Sequence, residues 1–179
     1  ASVVTYSGDK LLGGIQSGLL SGKKELIDKI YKNPMYRTLR CDKYRIALME
    51  KILRTYDSRD SVSKSNLALQ LFLRSRDHLD KNAQEVIKKL NKNIKKNFTF
   101  KIIDTLVEAG SGSLPTEKIE SVAITIKSNV LSANKISKKL RVCDTPIFNY
   151  IKNDLVHIDF KAITDDQLDI ISEQINICL

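Results

Sequence analysis

Tryptophan is absent from this 179-residue sequence, and glycine (7), proline (3) and cysteine (3) are scarce. The cysteines, Cys41, Cys143 and Cys178, are odd in number and form no C-x-x-C pair. That pattern argues against a disulfide framework and against a zinc site, and makes a reducing cytoplasm the default compartment. No apolar run approaches the roughly 18 residues a bilayer span requires, and no signal-peptide pattern opens the chain, so a membrane is not an expected partner. At 42% hydrophobic and 28% charged residues, the chain is too apolar for intrinsic disorder. Its length suits one domain, or one and a half, with a sizeable core. Acidic residues are the minority charge, 21 against 30 basic ones, and the resulting net charge of +9 favours a polyanionic partner.

Val3-Val4-Thr5-Tyr6 reads as a short buried strand of a parallel sheet, and such a strand needs neighbours from preceding βα units. The chain therefore reads as the C-terminal piece of a longer protein. A second strand is expected near 16–20, then a helix over 23–31 with Leu26, Ile27 and Ile30 on one face, stopped by Asn33-Pro34. Ile46, Leu48, Met49, Ile52 and Leu53 recur at helical spacing over 42–56. The polar run 57–61 reads as a linker. Beyond it, Ser75 caps an expected helix over 76–95, and 98–108 is a strand rich in β-branched and aromatic residues. Gly110-Ser111-Gly112-Ser113 is a turn, and Val122, Ile124 and Ile126 alternate along a half-buried strand. Ser132 caps a helix over 133–140. A hairpin over 146–160 turns at Lys152-Asn153-Asp154, and Thr164 with Asp165 and Asp166 opens a last helix. This order predicts a small α+β domain with helices on one face of an antiparallel sheet.

The chemistry is concentrated in Ser7-Gly8-Asp9-Lys10-Leu11-Leu12-Gly13-Gly14. A lysine held in a tight glycine-lined loop is what an enzyme using pyridoxal 5'-phosphate (PLP) needs, because the amine must reach the coenzyme aldehyde. Small neighbours let backbone N–H groups approach a phosphate. The same residues also fit a plain turn carrying a solvated lysine. His78 and His157 stand at no metal-ligand spacing. Seven lysines lie between positions 81 and 101 against Glu85 alone, a stripe that fits either a nucleic-acid backbone or a solvated helix face.

Val4-Thr5-Tyr6-Ser7-Gly8-Asp9-Lys10-Leu11-Leu12-Gly13-Gly14, Gly22-Lys23-Lys24-Glu25-Leu26-Ile27 and Asn33-Pro34-Met35-Tyr36-Arg37-Thr38-Leu39-Arg40-Cys41-Asp42-Lys43 closely resemble the bacterial selenocysteine synthases, the L-seryl-tRNA(Sec) selenium transferases. The resemblance continues through Gly112-Ser113-Leu114-Pro115-Thr116, Leu131-Ser132 and Thr145-Pro146-Ile147 to the end of the chain. It implies an α/β fragment of a fold-type-I PLP-dependent transferase, α+β in its C-terminal part. Residues 1–57 would be the end of the PLP-binding large domain with its long connecting helix, and 58–179 a small α+β domain. It makes Lys10 the Schiff-base lysine, Asp9 the acid before it, Ser7 a contact to the cofactor phosphate, and Gly13 and Gly14 the phosphate-approaching turn. Arg37 and Arg40 match a pair of arginines that hold an anionic selenium donor. Three apart, they share a face if the backbone is helical, and two guanidiniums can grip such an anion with forked hydrogen bonds.

The implied reaction converts seryl-tRNA(Sec) to selenocysteinyl-tRNA(Sec) through an aminoacrylate, with selenophosphate as selenium donor. The implied assembly is a cytoplasmic homo-oligomer. The fragment alone is expected to be inactive, and its first strand to present a bare edge that favours self-association. The sequence departs from the family at Ile15 and Ser17, usually proline and alanine, and at Asn149-Tyr150, often Gly-Arg. Lys161 stands where relatives often carry Arg, which removes a forked donor. Two other readings use the same residues: a related PLP lyase acting on a small amino substrate, and a non-catalytic basic RNA-binding domain.

Overall fold

The computed structural model describes residues 1–58, 61, 64–110 and 118–179. The turn expected at Gly110–Ser113, part of the 57–61 linker and the Gly112–Thr116 stretch of the resemblance therefore lie wholly or partly outside the described residues. The chain divides into two compact units, Ala1–Gln70 and Leu71–Leu179.

In the first unit, β1 (Val3–Ser7) pairs with β2 (Gly18–Gly22), Val3 facing Gly22 and Ser7 facing Gly18. The pairing is antiparallel and β1 is mostly exposed, so the expected buried parallel strand is corrected. The reason is the loop between them. It folds back on itself through Gly14 N–H to Gly8 O (2.8 Å) and Gly8 N–H to Ser17 O (2.9 Å). The second strand thus returns beside the first, whereas a parallel neighbour needs a crossover of about a dozen residues or more. Helix α1 (Lys24–Lys32) half-buries Leu26, Ile27 and Ile30 and stops at Asn33. Asn33 also starts a short helix, α2 (Pro34–Leu39): its side chain accepts from Met35 N–H (2.9 Å), and Pro34 occupies the first turn, where its missing N–H costs nothing. Helix α3 (Lys43–Thr55) is capped by Asp42, which accepts from the amides of Tyr44 and Arg45. Helix α4 (Leu67–Leu73) follows.

In the second unit, Ser75 caps α5 (Arg76–Lys89) by accepting from His78 N–H. The helix ends at Leu90 instead of running to 95, and a short α6 (Lys92–Asn97) follows. The break is made from a distance. Asn176 accepts from the freed Asn91 N–H (2.8 Å) and donates to Lys89 O (3.3 Å), closing both sides of the interruption. Strands β3 (Phe98–Glu108), β4 (Lys118–Ser128), β5 (Tyr150–Lys152) and β6 (Leu155–Asp159) form an antiparallel sheet in the order β3-β4-β6-β5. The β5–β6 hairpin turns through Asn153 and Asp154, both at positive φ (52° and 56°), as a two-residue turn matched to strand twist requires. Helix α7 (Ala133–Arg141) is capped by Ser132. A 3-10 turn (Asp165–Gln167), closed by Gln167 reaching back to Thr164 N–H, leads into α8 (Leu168–Cys178).

Val122, Ile124 and Ile126 of β4 and Val156 and Ile158 of β6 are fully buried with Leu79 and Val86 of α5, Ile136 and Leu140 of α7, and Ile175 of α8. The alternation read from 122–126 thus marks the face on which the helices lie, giving the expected α+β arrangement. The cysteine expectation is corrected: Cys143 and Cys178, with Cα atoms 6.2 Å apart, are joined. Thirty-five positions separate them, and only the packing of α8 beside α7 brings them together.

Candidate active site

The residues singled out for chemistry all lie in the first unit. Lys10 and Asp9 are exposed on the turn that follows β1. The turn closes through Gly13 N–H to Lys10 O (2.9 Å), with Gly13 at φ 72°, a left-handed conformation that favours glycine. Gly8 is buried, and a Cβ there would collide with Ser17 Oγ, Met49 Cε and Ile15 O. From outside the turn, Leu12 O accepts from Tyr56 Oη (2.8 Å) and from Asn66 Nδ2 (3.0 Å). Lys10 therefore projects from a backbone held on several sides. Neither it nor Arg37 nor Arg40 makes an ion pair among the described residues.

An open cleft of about 1250 Å³ lies against β1, β2, α2 and α3. Ser7 and Arg40 line it, over an apolar floor that includes Leu20, Ile46, Met49 and Leu53. Lys10, Asp9, Gly13, Gly14 and Arg37 do not. The structure thus brings Ser7 and Arg40 to one cleft, and groups Lys10 and Asp9 with the glycines on the adjoining turn. Arg37 stands on α2, while Arg40 is the residue that ends it, with extended backbone (ψ 141°) and its N–H on Tyr36 O (2.9 Å). The shared helical face expected for the two arginines holds only as far as Leu39. Two further cleft arginines are already neutralised, Arg45 by Asp42 and Arg54 by Glu50 (2.6 Å). The backbone N–H of Arg45 is the largest influence holding the Asp42 carboxyl below its usual range. Arg40 is therefore the cleft guanidinium left open to an external anion.

For the coenzyme that the resemblance implies, the turn supplies a primary amine with no carboxylate partner on a fixed backbone, which fits an imine-forming lysine. The amides of Gly13 and Gly14 already donate within the loop, to Lys10 O and Gly8 O, so these glycines act on the shape of the turn. The Ser7 hydroxyl is the open polar group at the strand end.

In the second unit, Lys161 is buried and donates to Arg74 O (3.0 Å). Burial pulls its amine below the usual lysine range, with Asp159 and Glu120 partly opposing. It serves the packing of this unit and not an anion clamp. Asn149 is buried and bonds Ile147 O, and Tyr150 stacks on His157. The lysines between 81 and 101 are all exposed, with Lys89 paired to Glu85 and Asp169. Among the described residues no cluster of His, Cys, Asp and Glu could hold a metal ion, and no helix is long and apolar enough to cross a membrane. Sequence reasoning missed Tyr56 and Asn66. Both are far from the turn in the chain, and neither stands in a recognisable motif.

Comparison with known proteins bears on the same residues. Residues 1–164 match the profile of the SelA family, described as L-seryl-tRNA selenium transferase. The L-seryl-tRNA(Sec) selenium transferase of Clostridium botulinum (strain Hall) is 37% identical over 172 residues, 96% of this chain and 37% of the relative. That of Desulfotalea psychrophila is 35% identical over 167 residues, and that of Mannheimia succiniciproducens 36% over 165. The chain spans just over a third of the length of these curated relatives. With the match running through the lysine turn, the arginine helix and most of the second unit, the chain belongs to the L-seryl-tRNA selenium transferase family.

Proposed function

We propose that this chain carries the coenzyme lysine and the selenium-donor arginines of a PLP-dependent transferase. That enzyme converts seryl-tRNA(Sec) to selenocysteinyl-tRNA(Sec), with selenophosphate as donor. On this reading residues 1–57 are the end of a fold-type-I large domain and 58–179 its small domain, in a cytoplasmic homo-oligomer. The observation that carries the reading is Lys10: an unpaired amine on a turn fixed by Gly8, Gly13 and two outside hydrogen bonds, in a chain of this family.

Lys10 and Ser7 would hold PLP, Lys10 through its amine and Ser7 through its hydroxyl. When bound, PLP supplies an electron sink for charge developing at the substrate Cα. Lys10 Nζ would accept the substrate Cα proton and later return it. Asp9, the residue just before it in the chain, would set the charge beside that amine. Arg40 on the cleft and Arg37 on α2 bind the anionic donor with charge-assisted hydrogen bonds, which a phosphate-like group accepts on several oxygens at once. Gly13 and Gly14 keep the turn narrow.

The test is borohydride reduction of the full-length protein with PLP, followed by peptide mapping. The coenzyme should be fixed on Lys10, and Lys10→Ala should lower selenocysteinyl-tRNA formation by about three orders of magnitude, the scale of a lost acid–base group. Labelling elsewhere, with Lys10 unmodified, refutes the assignment.

A further inference from the structure

The Lys10 turn is held by two side chains that none of the preceding chemistry uses. Among the described residues of the first unit, Asn66 is the buried polar side chain, 8% exposed. Its Nδ2 donates to Leu12 O (3.0 Å) and to Tyr56 Oη (3.0 Å), while Tyr56 Oη donates to the same Leu12 O (2.8 Å). Leu12 lies two residues after Lys10, and its carbonyl thus receives two donors converging from outside the turn. The next residue, Gly13, is pressed against the same amide: a Cβ there would come within 2.5 Å of Asn66 Nδ2. The other end of the Asn66 side chain has a separate task. Its Oδ1 accepts from Leu69 N–H (3.1 Å) as the N-cap of α4. One amide therefore fastens the lysine turn to the start of a helix 54 positions later.

We propose that Asn66 and Tyr56 are positioning residues for Lys10: by clamping Leu12 O they fix where the lysine amine is presented to its carbonyl partner. The proposal rests on the reading of Lys10 as the coenzyme lysine. Imine formation requires the amine at one place and angle relative to a bound aldehyde, and a loop with freedom at Leu12 spreads that position over many. The turn's internal bond, Gly13 N–H to Lys10 O, sets its shape. The clamp sets its placement.

The two ends of the Asn66 side chain make the idea separable from a purely structural role. Asn66→Asp keeps an oxygen for the Leu69 amide and adds a negative charge at a helix start, which stabilises a cap. It removes the donor to Leu12 O and sets a carboxylate oxygen against a carbonyl. Tyr56→Phe deletes the other donor to Leu12 O together with the acceptor of one Asn66 Nδ2 bond. If Asn66 matters only as a cap, Asn66→Asp behaves as wild type or better.

The experiment uses the full-length protein with PLP and three readouts. These are thermal melting of the coenzyme-free protein, the PLP concentration giving half-maximal borohydride fixation on Lys10, and the pH midpoint of the bound coenzyme's absorbance change. For Tyr56→Phe the half-maximal PLP concentration should rise about fivefold, and for Asn66→Asp about tenfold or more, the scale of one or two lost hydrogen bonds. The absorbance midpoint should move with it, and the melting temperature of Tyr56→Phe should stay close to wild type. Exposed Lys32→Ala, on α1 and outside the cleft lining, serves as the unchanged control. Wild-type protein labelled at Lys10, with both variants labelled at the same PLP concentration and pH midpoint, overturns the clamp alone. Wild-type protein that is not labelled at Lys10 overturns the coenzyme reading and the positioning role together.

Discussion

The two units of this chain are stabilised by different means. Among the described residues, Leu71–Leu179 buries nineteen hydrophobic side chains in one cluster, drawn largely from both central strands and from α5, α7 and α8. In Ala1–Gln70, Met49 is the one hydrophobic residue among those described that reaches full burial, and Val4, Leu20, Leu39, Ile46 and Leu48 remain exposed. What holds the first unit is polar and local. Asn33 and Asp42 cap helices, three backbone bonds close the lysine loop, and Tyr56 with Asn66 grips it from outside. Burial scales with apolar area at roughly 25 cal/mol per Å², whereas a hydrogen bond adds only about 1 kcal/mol net. Within this chain the second unit therefore carries most of the apolar burial, and the first carries the candidate site.

That contrast breaks most readily at the core. Phe160 is fully buried among Val122, Leu168 and their neighbours, and Phe160→Ala should cost about 3–5 kcal/mol, as other large-to-small core changes do. Leu39→Ala, at a side chain 76% exposed, should change stability by less than about 0.5 kcal/mol. Urea unfolding followed by circular dichroism measures both. Equal losses would mean that the first unit has a core of its own, and the comparison would have to be abandoned.

The lysine loop offers the next largest effect. Gly8→Ala drives a methyl group toward Ile15 O (2.7 Å) as well as the flexible ends of Ser17 and Met49. Side chains can move away, but a backbone carbonyl inside the loop cannot do so cheaply. The expected cost is about 1–3 kcal/mol, that of overpacking, and it should appear as faster amide exchange at Gly13 and Gly14 with the second unit's exchange unchanged. If relieving the side chains with Gly8→Ala/Met49→Ala restores full protection, the backbone is not the obstacle.

Much of this architecture was legible from local signals. Ser75, Ser132 and Asp42 lie just before apolar-periodic runs and each caps the helix that follows. The alternation of Val122, Ile124 and Ile126 identified the core face, and the glycines around Lys10 marked the tight turn. What escaped was decided by residues far apart in the chain. Asn176 breaks a helix at Leu90 whose own periodicity continues through Ile94. The direction of β2 depends on hydrogen bonds inside the loop before it, and Cys143 meets Cys178 only because two helices pack together. Asn66 carries no motif at all, since a polar residue before a helix reads as a cap whether or not its other end grips a turn. The sequence thus named Lys10, Ser7 and Arg40 as candidates, but not the side chains that hold the turn.

The smallest expected effect tests whether the second unit also depends on polar contacts. Asp165 accepts from Asn82 (2.9 Å) and contacts His78 (3.0 Å), with Arg74 at 3.3 Å. Burial opposes its ionisation, but the hydrogen bonds from Asn82 and His78 and the charges of Arg74 and His78 outweigh it, so its carboxyl lies below the usual range. A depressed carboxyl pKa stabilises the fold above the unfolded value of about 3.9, and that contribution is lost as pH falls through the folded value. The side chain is 57% exposed, so screening should hold the gain to less than about 1 kcal/mol. Melting temperatures of wild type and Asp165→Asn should therefore differ by only a few degrees at pH 6 and converge as pH drops toward 3. A gap that persists unchanged at pH 3 would trace the effect to altered packing at the start of α8 and not to charge.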